Sequence, residues 1–165
     1  MFHISTAQTE NKKTFYEQLN QYLAGLIEGE PDWLANISNA AALLYTLMPT
    51  INWAGFYLYK GEELVLGPFQ GKPACIRISL SRGVCGAAAR ERKVQRVGDV
   101  HAFPGHIACD EASQSEIVLP ILSGDRLIGV LDIDSPVQGR FDEEDQAGLE
   151  AFVNILNQQI HWPEF

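Results

Sequence analysis

The chain has 165 residues, 46% of them hydrophobic and 20% charged, which suits a single domain with a core of its own. Its net charge of −9 disfavours anionic partners such as nucleic acids and acidic membrane surfaces. No apolar run reaches the roughly 18 residues of a membrane helix, and the first residues lack the basic and apolar regions of a secretory signal. We therefore expect a cytoplasmic protein that binds neither nucleic acid nor membrane.

Two helices are predicted at the start of the chain. Apolar residues recur at spacings of three and four over residues 11–28, and again over residues 32–47. Gly29 and Pro31 separate the two segments, because glycine commonly follows the end of a helix and proline is tolerated in its first turn.

The pattern then changes to strands. Residues 51–59, rich in aromatic side chains, and residues 63–69 predict a hairpin. Residues 75–80 alternate apolar and polar side chains and predict a third strand. The run of small residues within 83–92 predicts a short helix packed closely on the sheet, and residues 95–97 predict a short strand.

Residues 101–114 show no clean periodicity and are interpreted as a long loop. Two apolar strands follow, at residues 116–122 and 126–133, joined across Ser123-Gly124-Asp125, which is typical of a hairpin. A last helix is predicted after Asp142, a suitable N-cap followed by acidic residues that favour a helix N-terminus. Because hairpins rather than βαβ units dominate, we expect an α+β fold with a mainly antiparallel central sheet, helices to one side and the terminal helices on one face.

Three cysteines are the first candidates for chemistry. Their odd number without a secretory signal argues against a disulfide framework, and the absence of a C-x-x-C pair argues against a structural zinc site. Cys109 lies in the predicted loop, where an exposed thiol of lowered pKa would be a nucleophile; the alternative is a loop thiol without a role. Cys85 lies near a predicted helix start, which lowers a thiol pKa, but it could equally be a small packing residue. Cys75 begins a strand and could be a half-buried strand residue.

Together the cysteines suit a redox cycle. A nucleophilic thiolate is oxidised to a sulfenic acid, and a second thiol condenses with it to form a disulfide. A loop cysteine with two others on nearby elements fits that sequence of events, and either of the two could be the second thiol.

Three acidic residues are predicted to meet at one edge of the sheet. Asp132 and Asp134 are two residues apart on a strand and therefore project from the same face. Glu116 opens the strand paired with it, so the hairpin brings all three carboxyl groups close together. Such a cluster can bind an ammonium group or hold a proton on an acid of raised pKa. The alternative is that the two aspartates only end the strand and begin a turn.

Two aromatic residues and a group of polar loop residues complete the candidates. Trp53 and Tyr57 share one strand face and could wall a small apolar pocket, although core packing is the usual role of such residues. The loop also contains His101, His106 and Asp110 near Cys109, but their spacing matches no zinc or iron motif. No phosphate-binding glycine motif is present. We therefore expect neither a metal nor a cofactor.

Six segments carry a resemblance to a known family. They are Asn-Trp-Ala-Gly-Phe-Tyr at 52–57, Leu-Gly-Pro-Phe-Gln-Gly-Lys at 66–72, Arg-Gly-Val-Cys-Gly at 82–86, Gly-His-Ile-Ala-Cys-Asp at 105–110, Ser-Glu-Ile-Val-Leu-Pro at 115–120 and Gly-Val-Leu-Asp-Ile-Asp-Ser at 129–135. The chain resembles the free methionine-(R)-sulfoxide reductases, enzymes of the GAF fold, over roughly residues 12–160. The resemblance implies one GAF-like domain over residues 1–165, with residues 1–10 as an N-terminal extension.

The resemblance also implies roles for the candidate residues. Cys109 matches the catalytic cysteine, while Cys75 and Cys85 match the two cysteines that can form a disulfide with it. The carboxyl groups named above, of Glu116, Asp132 and Asp134, match the acids around the substrate, and the Trp53 and Tyr57 rings match the wall near the substrate methyl group.

The implied reaction is the reduction of free methionine-R-sulfoxide. The Cys109 thiolate attacks the sulfoxide sulfur while a neutral acid, Glu116 or Asp134, donates a proton. Cys75 or Cys85 then closes a disulfide, which thioredoxin reopens. A homodimer is a further arrangement that the resemblance suggests. The alternatives are a GAF module that senses a small ligand without catalysis and a thiol switch without a substrate.

Overall fold

The computed structural model describes residues 11–106 and 109–165. The predicted N-terminal extension at residues 1–10 therefore lies outside the described residues, as do residues 107 and 108 of the predicted loop.

In the part of the chain that the structure describes, four helices occupy the predicted positions. Asn11 and Asp32 accept hydrogen bonds from backbone N–H groups at the first turns of the first two helices, and Asp142 forms a capping box with Asp145 at the fourth, which confirms the predicted N-cap. A short 3-10 turn, Val100–Ala102, overlaps the start of the predicted loop at 101–114. The helices are α1 (Lys12–Ile27), α2 (Trp33–Leu47), α3 (Gly83–Glu91) and α4 (Glu143–Gln159).

Six strands within the described ranges form one antiparallel sheet. They are β1 (Trp53–Lys60), β2 (Glu63–Gly71), β3 (Arg77–Ser79), β4 (Gln95–Val97), β5 (Ser115–Ser123) and β6 (Arg126–Ser135). Their order across the sheet is β3-β2-β1-β6-β5-β4, and each neighbouring pair is antiparallel. β1 and β6 are therefore central, which places the predicted aromatic and acidic positions in the middle of the sheet.

The two faces of the sheet are covered differently. Alternate residues of the central strands point to opposite faces, so that Phe56 and Leu131 join a core with α1, α2 and α4, whereas Tyr57 and Val130 join a second core with α3. The terminal helices share one face, as predicted. α3 lies on the other face, so the expectation of helices to one side holds for three of the helices only.

Close packing between β1 and β6 requires a glycine. Gly129 lies opposite Leu58, and a Cβ atom at this position would overlap the carbonyl oxygen of Tyr57. The two central strands can therefore approach each other here only without a side chain.

A buried ionic cluster joins the first and last helices. Asp145, 1% exposed, accepts hydrogen bonds from the Tyr16 hydroxyl at 2.7 Å, Lys12 Nζ at 2.6 Å and Arg140 Nη1 at 3.2 Å. The Lys12 ammonium group also contacts Asp142 and lowers the pKa of that carboxyl to about 2. No helix within the described ranges has the length and apolar character needed to cross a membrane.

Candidate active site

The predicted site residues meet around one small pocket between the sheet and α3. The pocket has about 40 Å³ of space for water-sized molecules. On the sheet its walls come from the first half of β1, the start of β5 and the end of β6. The first turn of α3, the segment before β3 and the loop before β5 complete it. Seven of the predicted site residues line it, namely Trp53, Tyr57, Cys85, Cys109, Glu116, Asp132 and Asp134. The eighth, Cys75, is represented in the lining by its neighbour Ala74.

The three carboxyl groups are brought together by the pairing of β5 and β6. Glu116 lies directly opposite Asp134, and Asp132 is on the same strand face two residues away. Glu116 is 7% exposed and Asp132 is 6% exposed. Burial raises the pKa of Asp132 to about 6. Burial, reinforced by the charges of the neighbouring aspartates, raises the pKa of Glu116 well above its ordinary value, which favours the protonated form of this acid.

Asp134 completes the acidic cluster. Burial also raises the pKa of Asp134 well above its ordinary range, and the charges of Asp132 and Asp110 add to the effect. Asp132 Oδ1 is buried and has no hydrogen-bond partner among the described residues. One oxygen of the cluster therefore lacks a hydrogen-bond donor, which is unusual for a buried carboxyl oxygen.

Cys85 lies against these acids as a free thiol. Its Sγ atom is 3.8 Å from Glu116 Oε1, and the residue is buried in the first turn of α3. Burial raises the pKa of the Cys85 thiol well above its ordinary value, and the charges of Asp132 and Glu116 raise it further. The sequence-based argument that the helix N-terminus would lower this pKa is therefore wrong, since desolvation and like charge outweigh the helix dipole.

The other two cysteines form a disulfide. Cys75 and Cys109 are bonded, with their Cα atoms 6.0 Å apart. Cys109 is exposed, as expected for the loop, whereas Cys75 is half-buried. Cys75 precedes β3 rather than opening it, because only residues 77–79 pair with β2. The bond thus connects the segment before β3 with the loop before β5.

The predicted aromatic wall also supports the cysteine-bearing segment. The rings of Trp53 and Tyr57 are stacked with centroids 5.9 Å apart, and both residues are almost fully buried. The indole N–H of Trp53 donates to the carbonyl of Lys72 at 3.1 Å, and the Tyr57 hydroxyl donates to the carbonyl of Cys75 at 2.9 Å. The wall of the pocket therefore fixes the backbone that carries one half of the disulfide.

Asn52 and Ser113 of the site were not considered as functional residues, and His106 and Asp110 were considered only as metal ligands and set aside. Asn52 Nδ2 donates to Asp110 Oδ2 and to Ser113 Oγ, each at 3.1 Å, and so holds the loop that carries Cys109. His106 Nε2 is 4.0 Å from Glu116 Oε2. Asn52 and His106 lie within the segments that resemble the family, which was the available signal, but residue type and spacing alone gave no reason to select them.

Comparison with known proteins agrees with this geometry. A family model of the GAF domain matches residues 34–160, so that fold and pocket together define a GAF domain. The free methionine-R-sulfoxide reductase of Escherichia coli K12 is 57% identical over 150 residues, which cover 91% of each chain. The chain belongs to the free methionine-R-sulfoxide reductases of the GAF domain family, and it is therefore an oxidoreductase.

Solved structures give the same result. The X-ray structure of free methionine-R-sulfoxide reductase from Neisseria meningitidis in complex with its substrate matches with a TM-score of 0.92 at 42% identity, over 96% of this chain and 95% of that chain. The reduced form of the Staphylococcus aureus enzyme matches with a TM-score of 0.86 at 50% identity, over 95% and 99% of the two chains. This membership disfavours the alternative of a ligand sensor without catalysis.

Proposed function

We propose that the protein reduces free L-methionine-(R)-sulfoxide to methionine, with Cys109 as the nucleophile and Cys75 as the resolving thiol. The observation that carries this proposal is the Cys75–Cys109 disulfide beside a pocket whose buried acids have raised pKa values. A disulfide is the product expected after one reductive turnover of a thiol enzyme.

The acids suit the ammonium group of a free amino acid. Asp132 Oδ1 lacks a partner, and an ammonium group would supply both the missing hydrogen bond and the missing positive charge. The first turn of α3 lines the same pocket through Gly83 and Val84, and its N-cap residue Arg82 makes no capping bond with its side chain. The backbone N–H groups of a first turn have no partner within their own helix, and at this turn they suit the substrate carboxylate. The stacked rings leave an apolar wall for the methyl group.

The chemistry follows from the protonation states. The Cys109 thiolate attacks the sulfoxide sulfur, and neutral Glu116 donates a proton to the sulfoxide oxygen. The oxygen passes to Cys109, which becomes a sulfenic acid, while the sulfur–oxygen bond of the substrate breaks and methionine leaves. Glu116 is preferred to Asp134 as the donor because half-buried His106 lies beside it and can return a proton from solvent.

The second half of the cycle regenerates the enzyme. The Cys75 thiolate attacks the sulfenic sulfur of Cys109, the disulfide forms and water is released. Cys85 is a less suitable resolving thiol, because it is buried and its raised pKa keeps it protonated. Thioredoxin reduces the disulfide by dithiol exchange, a reaction that fits the reducing cytoplasm. The exposure of Cys109 supports access by such a reductant.

The proposal is tested by supplying free methionine-R-sulfoxide and a thioredoxin system and by measuring methionine. We expect sustained turnover by the wild-type protein, no turnover by Cys109→Ser and strongly reduced turnover by Glu116→Gln. The same sulfoxide within a peptide is the control, and a closed pocket for free amino-acid ends should reject it. Absence of turnover by the wild-type protein would refute the function, and full turnover by Cys109→Ser would refute the nucleophile.

A further inference from the structure

The proposed cycle leaves one nucleophilic group without a role. Cys85 takes part in neither step, yet its thiol lies within the acidic cluster. One potential ligand atom from each of Cys85, Glu116 and Asp132 can be chosen so that all three lie within 4.8 Å of one another. The pairing of β5 and β6 and the packing of α3 assemble this set, so the spacing of the residues along the chain did not reveal it.

The distance between two of these ligand atoms is close to that expected around a tetrahedral metal ion. Bonds of about 2.3 Å to sulfur and about 2.1 Å to oxygen place the two ligand atoms about 3.6 Å apart. Cys85 Sγ and Glu116 Oε1 are 3.8 Å apart. His106 Nε2 lies 4.0 Å from Glu116 Oε2, so that an imidazole nitrogen is close to one of the three ligand residues.

A second, independent observation points to a cation. Asp132 Oδ1 is buried, lines the pocket and has no partner among the described residues. Neither Asp132 nor Glu116 has an ion pair with a lysine or arginine in that part of the chain, and Lys72, which does line the pocket, is 74% exposed and directed to Asp110. The cluster therefore offers three ligand atoms and an unsatisfied oxygen without a lysine or arginine beside them.

We propose that Cys85, Glu116 and Asp132, with His106, form a binding site for a thiophilic divalent cation of the Zn²⁺ class. The thiolate ligand selects such an ion over Mg²⁺ and Ca²⁺, which prefer oxygen ligands alone. Binding releases the protons of the thiol and of the protonated carboxyl groups to solvent, and the ion replaces them with positive charge. The reaction is one of ligand exchange and needs no oxidant or reductant.

The site overlaps the position that we assign to the substrate ammonium group, a consequence that rests on the proposed function. An ion held there would exclude the amino-acid end of methionine sulfoxide. The metal would therefore act as an inhibitor that competes with the substrate, and not as a cofactor.

Cobalt absorption tests the site directly, because Co²⁺ occupies zinc sites and absorbs in the near ultraviolet when a thiolate binds it. In the disulfide form Cys85 is the single free thiol of the three in the sequence. A double variant, Cys75→Ser with Cys109→Ser, again leaves Cys85 alone but without the disulfide beside the pocket. We expect a thiolate-to-cobalt band at one equivalent in at least one of these forms, its loss on addition of Zn²⁺ and no loss with Mg²⁺.

Matched variants identify the ligands. Cys85→Ser should abolish the band, and His106→Gln should weaken cobalt binding, whereas His101→Gln, at an exposed histidine whose ring lies 6.3 Å from that of His106, should leave it unchanged. Absence of the band in both the disulfide form and the double variant would overturn the proposal, as would a band that survives Cys85→Ser.

Displacement by substrate tests the overlap separately. Free methionine-R-sulfoxide should reduce the cobalt band of the double variant, and a band that is unchanged at saturating sulfoxide would contradict the shared position. Since the spectrum is read without turnover, failure of the metal site and failure of the proposed enzyme activity give different results.

Discussion

Replacing Asp132 by asparagine should stabilise the fold while it weakens the enzyme. Burial raises the pKa of this carboxyl from 3.8 to about 6. At neutral pH the group is ionised, and its burial therefore lowers the free energy of unfolding. At 1.36 kcal/mol per pH unit, the shift corresponds to about 3 kcal/mol. Asparagine keeps the shape without the charge, and we expect a gain of about 1 to 3 kcal/mol, or roughly 3 to 10 °C in Tm for a domain of this size.

The pH dependence gives the sharper test. Between the unfolded and folded pKa values of Asp132 the folded state binds more protons, so wild-type stability decreases as the pH rises through this window. The gain in free energy of unfolding of Asp132→Asn over wild type should be measured by urea unfolding near pH 4.5 and near pH 8. It should be small at the lower pH and should reach its full value at the higher pH. Asp125→Asn, at an exposed turn position between β5 and β6, is the matched control and should change little.

The same variant should lose affinity for the substrate, because the neutral amide attracts an ammonium group less strongly than a carboxylate does. We expect a raised KM in the methionine assay together with the raised Tm. A variant that is less stable than wild type near pH 8, or whose stability difference does not depend on pH, would refute the reasoning.

Three further outcomes are expected. Cys75→Ser should form about one methionine per protein in a single turnover and then stall, with Cys109 left as a sulfenic acid that a dimedone probe labels; sustained thioredoxin-driven turnover would contradict the role of Cys75. Gly129→Ala should lower the free energy of urea unfolding by more than about 3 kcal/mol or prevent folding, because its Cβ would overlap the carbonyl oxygen of Tyr57. A small decrease would mean that the central strands can move apart. Gly25→Ala, at an exposed and open position of α1, should instead gain about 0.5 to 1 kcal/mol in the same measurement.

Local patterns in the sequence were enough for most of the secondary structure. Caps such as Asp142 and the alternation along the strands depend on neighbouring residues only, and they gave the helices and the strands near their observed bounds. The same two-residue period placed Asp132 and Asp134 on one face, and the hairpin brought Glu116 beside them. The acidic cluster was therefore predictable in position.

What the sequence could not give depends on contacts between distant segments. The partner of Cys109 in the disulfide, Cys75 and not Cys85, is decided by where the segment before β3 lies, which the bonds from Trp53 and Tyr57 fix. The position of α3 on the second face is decided by the packing of its small residues on the sheet. The protonation states depend on burial, which is a property of the assembled pocket.

The sequence by itself thus determined the elements, the shared face of the acids and the family of the chain, because each rests on local spacing or on motifs. Only the tertiary structure decided that Cys85 is a buried, protonated thiol among the acids, although its place near a helix start favoured a reactive thiolate. The physical reason is that desolvation and like charge arise from residues such as Glu116 and Asp132, which are far away along the chain and in contact only after folding.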